Sequence, residues 1–157
     1  MMARWWLFIA ALASPAAAHA QSPQSCPWLN AGTAAKALGA SVSVSAHSDS
    51  NWSGSCRFVT GASSQGSIAV LVGKTGTHVC AAGASPLSGI GNQASLCSER
   101  GADGQLVQTV IGRVRDAWFA VTLRLPDSGG RASPAPGESA GPSAVEFLAE
   151  QVAGNLY

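Results

Sequence analysis

The first periodic segment of the chain after residue 25 is helical. Asn30 is a suitable N-cap, residues 31–38 are mainly alanine and other helix formers, and Gly39 can end a helix in the left-handed conformation. We therefore predict a short helix between Asn30 and Gly39. The apolar side chains expected to face the core are Trp28, Leu29, Ala34 and Leu38.

The pattern then changes to an alternation of apolar and polar positions, which is typical of half-buried strands. Residues 67–72 form the most apolar run, which suggests a position inside a sheet. The last two runs are joined by Arg115-Asp116 and form the clearest hairpin, because the alternation in the second of them is regular. The predicted strands are 41–45, 55–60, 67–72, 93–97, 106–114 and 117–125.

The carboxyl-terminal part combines a connector with a second helix. Residues 126–142 contain four prolines and four glycines and are predicted to be a flexible connector. Ser143 and Glu146 then match the S-x-x-E capping box. The apolar positions that follow recur at helical spacing and are Val145, Leu148, Ala149, Val152 and Leu156.

These elements predict an α+β fold. We expect an antiparallel sheet of about five to six strands, with the amino-terminal and carboxyl-terminal helices packed on one of its faces.

A segment of different character precedes the predicted domain. Arg4 is followed by an apolar run over residues 5–18, and residues 18–20 read Ala-His-Ala, the small-x-small pattern of a signal-peptidase site. A proline interrupts the run, which is shorter than the roughly 18 to 20 residues that span a bilayer. We expect residues 1–20 to be a cleaved export signal. The mature chain, 21–157, would be one secreted or periplasmic domain with no membrane span.

The balance of charge excludes one class of partner. The sequence contains nine Lys and Arg residues against eight Asp and Glu residues. Loss of Arg4 with the export signal would leave eight of each. Proteins that bind nucleic acid carry a clustered basic face, so we predict no nucleic-acid partner.

The sequence contains four cysteines, all of them after the predicted export signal. In an exported chain of this size they indicate two disulfides, and four cysteines allow three pairings. The pairing of Cys26 with Cys56 and of Cys80 with Cys97 is favoured, because each bond closes a loop worth roughly 3 to 4 kcal/mol in the chain-entropy model. Zinc is the competing interpretation, but the spacing contains no C-x-x-C.

Two histidines beyond the export signal, His47 and His78, are the candidates for catalysis. A hydrolase would need one of them beside a nucleophile and an acid, for which Asp49, Asp103 and Asp116 are available, but the chain has no strand-turn-helix serine motif of the G-x-S-x-G kind. His47, Asp49 and His78 also lack the spacing of a common metal motif. We predict no catalytic residue, metal or cofactor, and keep a small hydrolase using His47 or His78 as an alternative.

Two tryptophans are candidate ligand-binding residues. Trp52 lies between Asn51 and Ser53, and a solvent-facing indole there would make a stacking platform for a small molecule or a glycan. Trp118 is the second candidate, in the last predicted strand. A further alternative makes the chain a protein inhibitor or interaction partner that presents the loop 73–89, because a disulfide-closed loop loses less entropy on binding.

The order of these features resembles a group of small exported domains among bacterial, especially actinobacterial, envelope lipoproteins. The chain differs from that group in having no lipidation cysteine. The resemblance implies an α+β sheet with helices and a groove for a ligand or partner, and it implies no catalytic residue. The motifs that carry it are Cys26-Pro27-Trp28-Leu29, Ala37-Leu38-Gly39, Cys56-Arg57-Phe58, Gly89-Ile90-Gly91-Asn92-Gln93-Ala94, Trp118-Phe119-Ala120-Val121 and the helix from Ala144 to Leu156.

The leading hypothesis is therefore a non-catalytic binding or accessory module outside the cytoplasm. Its partner would be a small molecule, a glycan or a protein of the bacterial envelope.

Overall fold

The structure is a computed structural model that describes residues 25–49, 53–61, 66–75, 80, 83–101, 104–126 and 143–157. The predicted export signal, Trp52, His78 and residues 127–142 of the predicted connector lie outside the described residues. Within the described part, seven strands and two helices follow one another along the chain. They are α1 (Ala31–Leu38), β1 (Val42–Ser48), β2 (Gly54–Thr60), β3 (Ser67–Gly73), β4 (Ser85–Leu87), β5 (Gln93–Arg100), β6 (Leu106–Val114), β7 (Ala117–Leu125) and α2 (Ala144–Gly154).

Local interactions determine both ends of helix α1. The Asn30 side chain accepts a hydrogen bond from the Thr33 amide at 2.7 Å, which satisfies one of the unpaired donors of the first turn. Gly39 ends the helix with a φ of 70°, a left-handed conformation that glycine adopts at little cost. Both predicted ends of this helix are confirmed.

All seven strands belong to one antiparallel sheet with the order β1-β2-β3-β7-β6-β5-β4. The hairpin of β6 and β7 has the predicted boundaries, and its two-residue turn places Arg115 at a φ of 54°. Strand β3 is an interior strand, but β7 occupies the centre. The alternating burial along β3 shows that only one of its faces is buried.

The sheet has one strand more than the five to six that the pattern predicted. The additional strand is β4, which has three residues, contains Pro86 and pairs only with β5. A strand of this length has no visible alternation, and proline is tolerated because one edge of the strand needs no partner. The segment therefore has the sequence of a loop although three of its residues extend the sheet.

Both helices pack on the same face of the sheet, which we call the helix face. Helix α1 contacts β1 and β2, α2 contacts β6 and β7, and the two helices contact each other. The largest fully buried side chains of the strands, among them Phe58, Ile68, Phe119 and Leu123, lie on this face and form one core with Leu29 and Leu148. Apolar burial of this extent dominates the stability of such a layer.

Helix α2 begins at Ser143 as predicted, but the predicted capping box does not form there. The Ser143 side chain makes no capping hydrogen bond, and within the described residues its buried hydroxyl has no partner. The apolar stripe of the helix is nevertheless correct, because Val145, Leu148, Ala149 and Val152 are fully buried. Burial of this stripe therefore positions the helix without help from the cap.

Two disulfides attach chain segments to opposite faces of the sheet. Cys26–Cys56 fixes the segment before α1 to the helix face of β2, with 5.7 Å between the Cα atoms. Cys80–Cys97, with a Cα separation of 5.6 Å, lies on the other face, because Cys97 is paired with Thr109 in the row that includes Thr122. No helix in the described part of the chain is long and apolar enough to cross a membrane.

Candidate functional site

The face of the sheet opposite the helices is the candidate site, and we call it the open face. No described helix packs on it. Cross-strand pairing places side chains on it in rows, because residues directly opposite each other in an antiparallel sheet point to the same side. One row runs through Arg57, Ala69 and Thr122, and the next runs through His47, Leu71 and Ala120.

Two depressions lie side by side on the open face. The first has a volume of about 430 Å³ and is bordered by His47, Arg57, Leu71 and Ala120 among others. The second has a volume of about 370 Å³ and is lined by Arg57 and Arg124 together with serines of β1 and β3. Both volumes fall within the range of small-molecule sites. Arg57 borders both depressions and therefore joins them into one continuous surface.

The floor of the first depression is apolar. Leu71 remains 44% exposed, so much of this aliphatic side chain is in contact with water. Ala120 lies beside it in the same row, which Ile111 continues on β6, and Ala69 lies in the neighbouring row. Contact with an apolar group would remove this surface from water and would therefore be favourable.

The second depression is polar and positively charged. Arg57 and Arg124 line it, together with Ser43, Ser67 and Gln105, and none of its lining residues is acidic. The other three arginines of the described part have partners: Arg100 donates to the Gly104 carbonyl, Arg113 donates to the Arg115 carbonyl, and Arg115 lies over the Tyr157 ring. Within the same residues, the side chains of Arg57 and Arg124 make no ion pair, hydrogen bond or ring contact.

His47 lies at the rim of the first depression, near the end of edge strand β1. Its cross-strand neighbour is Ser55, but no hydrogen bond joins their side chains in the described structure. The Asp49 carboxylate accepts hydrogen bonds from the Ser53 amide, at 3.1 Å, and from the Ser53 hydroxyl. Asp49 therefore closes the turn between β1 and β2, and this arrangement gives His47 neither an activated nucleophile nor an orienting acid.

Trp118 lies on the open face at one end of β7. Its indole is half-buried, and the Arg113 guanidinium lies 5.8 Å from the ring centroid, a cation–π distance. This guanidinium covers one side of the ring, and Trp118 borders neither depression. The other candidate, Trp52, lies outside the described residues.

The described part of the loop 73–89 is attached to the sheet at two points. Within it, β4 pairs with β5, and Cys80 is joined to Cys97. The glycine-rich turn that follows supports the β6–β7 hairpin. The Asn92 amide donates to the Arg113 carbonyl at 2.7 Å, and the Asn92 side chain accepts from the Arg115 amide at 2.6 Å. No property of the sequence pattern predicted this contact between distant turns.

A literal G-x-S-x-G string occurs near the carboxyl terminus. Residues 137–141 read Gly-Glu-Ser-Ala-Gly, but they lie in the predicted connector and outside the described residues. His78 also lies outside the described residues. Within those residues, no three His, Cys, Asp or Glu side chains are grouped as metal ligands.

The chain matches no model of a known protein family and no curated protein.

Proposed function

We propose that this chain is a non-catalytic binding module that acts outside the cytoplasm and holds its ligand on the open face of the sheet. The observation that carries the proposal is the joined pair of depressions beside the exposed Leu71. The predicted export signal and the two disulfides support the location, because disulfides persist in oxidising compartments.

The arrangement of the two faces favours binding over purely structural roles. The helix face already buries the core of the domain. The open face belongs to the same hydrogen-bonded sheet, so the backbone positions from which its side chains project are fixed before a ligand arrives. Preorganisation of this kind lowers the entropic cost of binding.

The proposal can be tested with Nile red, a neutral apolar dye whose fluorescence rises when it leaves water. The test variant is Leu71→Gln, and the matched control is Phe147→Gln on α2, since Phe147 is 42% exposed on the helix side of the domain. Covering the exposed part of Leu71 is worth about 1 kcal/mol. Leu71→Gln should therefore weaken dye binding about fivefold.

The control variant should bind the dye within about twofold of the wild-type protein. Far-ultraviolet circular dichroism would verify that both variants remain folded. Equal weakening by the two substitutions, or unchanged binding by Leu71→Gln, would place the dye elsewhere and would refute the proposed site.

A further inference from the structure

We infer that the ligand of the open face is a soluble amphiphilic anion, a molecule with an anionic oxygen head group and an apolar chain. This inference rests on the proposed function and adds the chemical class of the ligand. The apolar chain would cover Ala69, Leu71 and Ala120, and the head group would lie between Arg57 and Arg124.

The two depressions on the open face differ in polarity. The first depression offers apolar side chains, and the second offers guanidinium groups and serines. The two depressions share Arg57. A ligand that fills both must therefore be apolar at one end and polar at the other.

The charged side chains around the two depressions indicate the charge of the head group. Arg57 and Arg124 are the described arginines without an internal partner, and no acidic side chain lines either depression. The acidic residue that the pairing places in the row of Arg124 is Glu99, two strands away on β5. Guanidinium groups bind carboxylates and phosphates with paired hydrogen bonds, so the head group is expected to be an anion.

The positions of Arg57 and Arg124 on the sheet allow both side chains to contact one head group. Arg57 on β2 and Arg124 on β7 are separated by one strand, and Arg124 lies one row further along the sheet. Strand spacing and rise then place their Cα atoms about 12 Å apart. Two long side chains that start at this separation can both reach one head group between them. A single carboxylate or phosphate would therefore satisfy both cations.

Isothermal titration calorimetry with dodecanoate tests the inference, with the probes kept below their micelle concentrations. Dodecyltrimethylammonium has the same chain and the opposite charge, and acetate supplies the head group without the chain. Arg57→Gln and Arg124→Gln should each weaken dodecanoate binding about five- to tenfold. Lys36→Gln removes the same charge from exposed α1 on the helix side and should change binding less than about twofold.

The expected result is one saturable site for dodecanoate, at least about tenfold weaker binding of the ammonium probe, and no saturable binding of acetate. Raised salt should weaken the dodecanoate complex, because exposed charges are screened. Equal affinity for the two dodecyl probes, or equal weakening by Lys36→Gln, would overturn the inference. So would binding to phosphatidylglycerol vesicles without binding of dodecanoate monomers, because the partner would then be a membrane surface.

The inference can fail while the proposed function stands. Nile red carries no charge, so the comparison of the wild-type protein with Leu71→Gln tests the apolar floor without the contacts to the head group. Leu71-dependent dye binding without a preference for the anionic probe would refute the ligand class alone. Loss of the dependence on Leu71 would refute the site itself.

Discussion

A methyl group added at Gly112 would meet the buried ring of Phe119. Gly112 lies on β6 directly opposite Phe119 of β7, and the aromatic ring lies across it. A Cβ atom at this position would be 2.4 Å from Cζ and 2.6 Å from Cε1 of Phe119. Phe119 is 2% exposed, so its ring cannot turn away into solvent.

The cost of Gly112→Ala follows from two opposing effects. Overpacking of a dense core destabilises by about 1 to 3 kcal/mol. Alanine also restricts the unfolded chain, which returns about 0.4 to 1 kcal/mol where the backbone conformation suits it. We therefore expect a net loss of about 1 to 2 kcal/mol in the free energy of unfolding.

Urea denaturation followed by circular dichroism measures this loss. Gly154→Ala is the matched control, because a Cβ atom there meets nothing within 4 Å and the residue lies in the last turn of α2. That substitution should stabilise the protein by about 0.5 to 1 kcal/mol. The double variant Gly112→Ala with Phe119→Leu should be more stable than the sum of the two single effects predicts, because the shorter side chain removes the clash.

The reasoning would be refuted if Gly112→Ala unfolded at the wild-type urea concentration, or if the two substitutions were additive. Either result would mean that Phe119 does not lie over Gly112, and the register of the β6–β7 hairpin would then be wrong. The same register assigns residues to the open face, so this experiment also bears on the candidate site.

Three further predictions concern stability and use the same assay. Asn92→Ala should lower the free energy of unfolding by about 1 to 2 kcal/mol, because it removes the side-chain acceptor of the Arg115 amide at the tip of the β6–β7 hairpin. An unchanged midpoint of urea denaturation would contradict this prediction. Asn30→Ala should cost about 1 kcal/mol while Ser143→Ala costs less than about 0.5 kcal/mol, since only Asn30 makes a capping bond; equal costs would be inconsistent with the two caps described. Replacing Cys26 and Cys56 together by serine should cost about 3 to 4 kcal/mol, and a loss below about 1 kcal/mol would exclude a cross-link that constrains the unfolded chain.

Local signals in the sequence were sufficient for much of the fold. Asn30 and Gly39 define α1 through bonds made within a few residues, and the regular alternation from Ala117 to Leu125 places Phe119, Val121 and Leu123 on the face that enters the core. Both signals depend only on neighbouring positions, so the sequence alone displays them.

Other features depend on contacts between distant segments, and no local pattern displays them. β4 exists because β5 offers it an edge, and Asn92 meets the β6–β7 turn only after the sheet has formed. A four-residue motif predicted the side-chain hydrogen bond of the Ser143 cap, which does not form. Burial of the apolar stripe positions α2 without this bond.

The candidate site was hidden from the sequence for the same reason. Arg57, Leu71 and Arg124 come from three strands and share no motif. They meet because β3 pairs with both β2 and β7 and because one sheet face has no described helix. The sequence directed attention instead to histidines and tryptophans, of which His47 alone borders either depression among the described residues.

Nuclear magnetic resonance tests the central claim most directly. In a titration of the ¹⁵N-labelled protein with monomeric dodecanoate, the claim predicts saturable shifts of the amides of Arg57, Ala69, Leu71, Ala120 and Thr122, with the amides of α1 and α2 nearly unchanged. Shifts confined to the two helices, or none at concentrations where calorimetry detects binding, would contradict a ligand site on the open face.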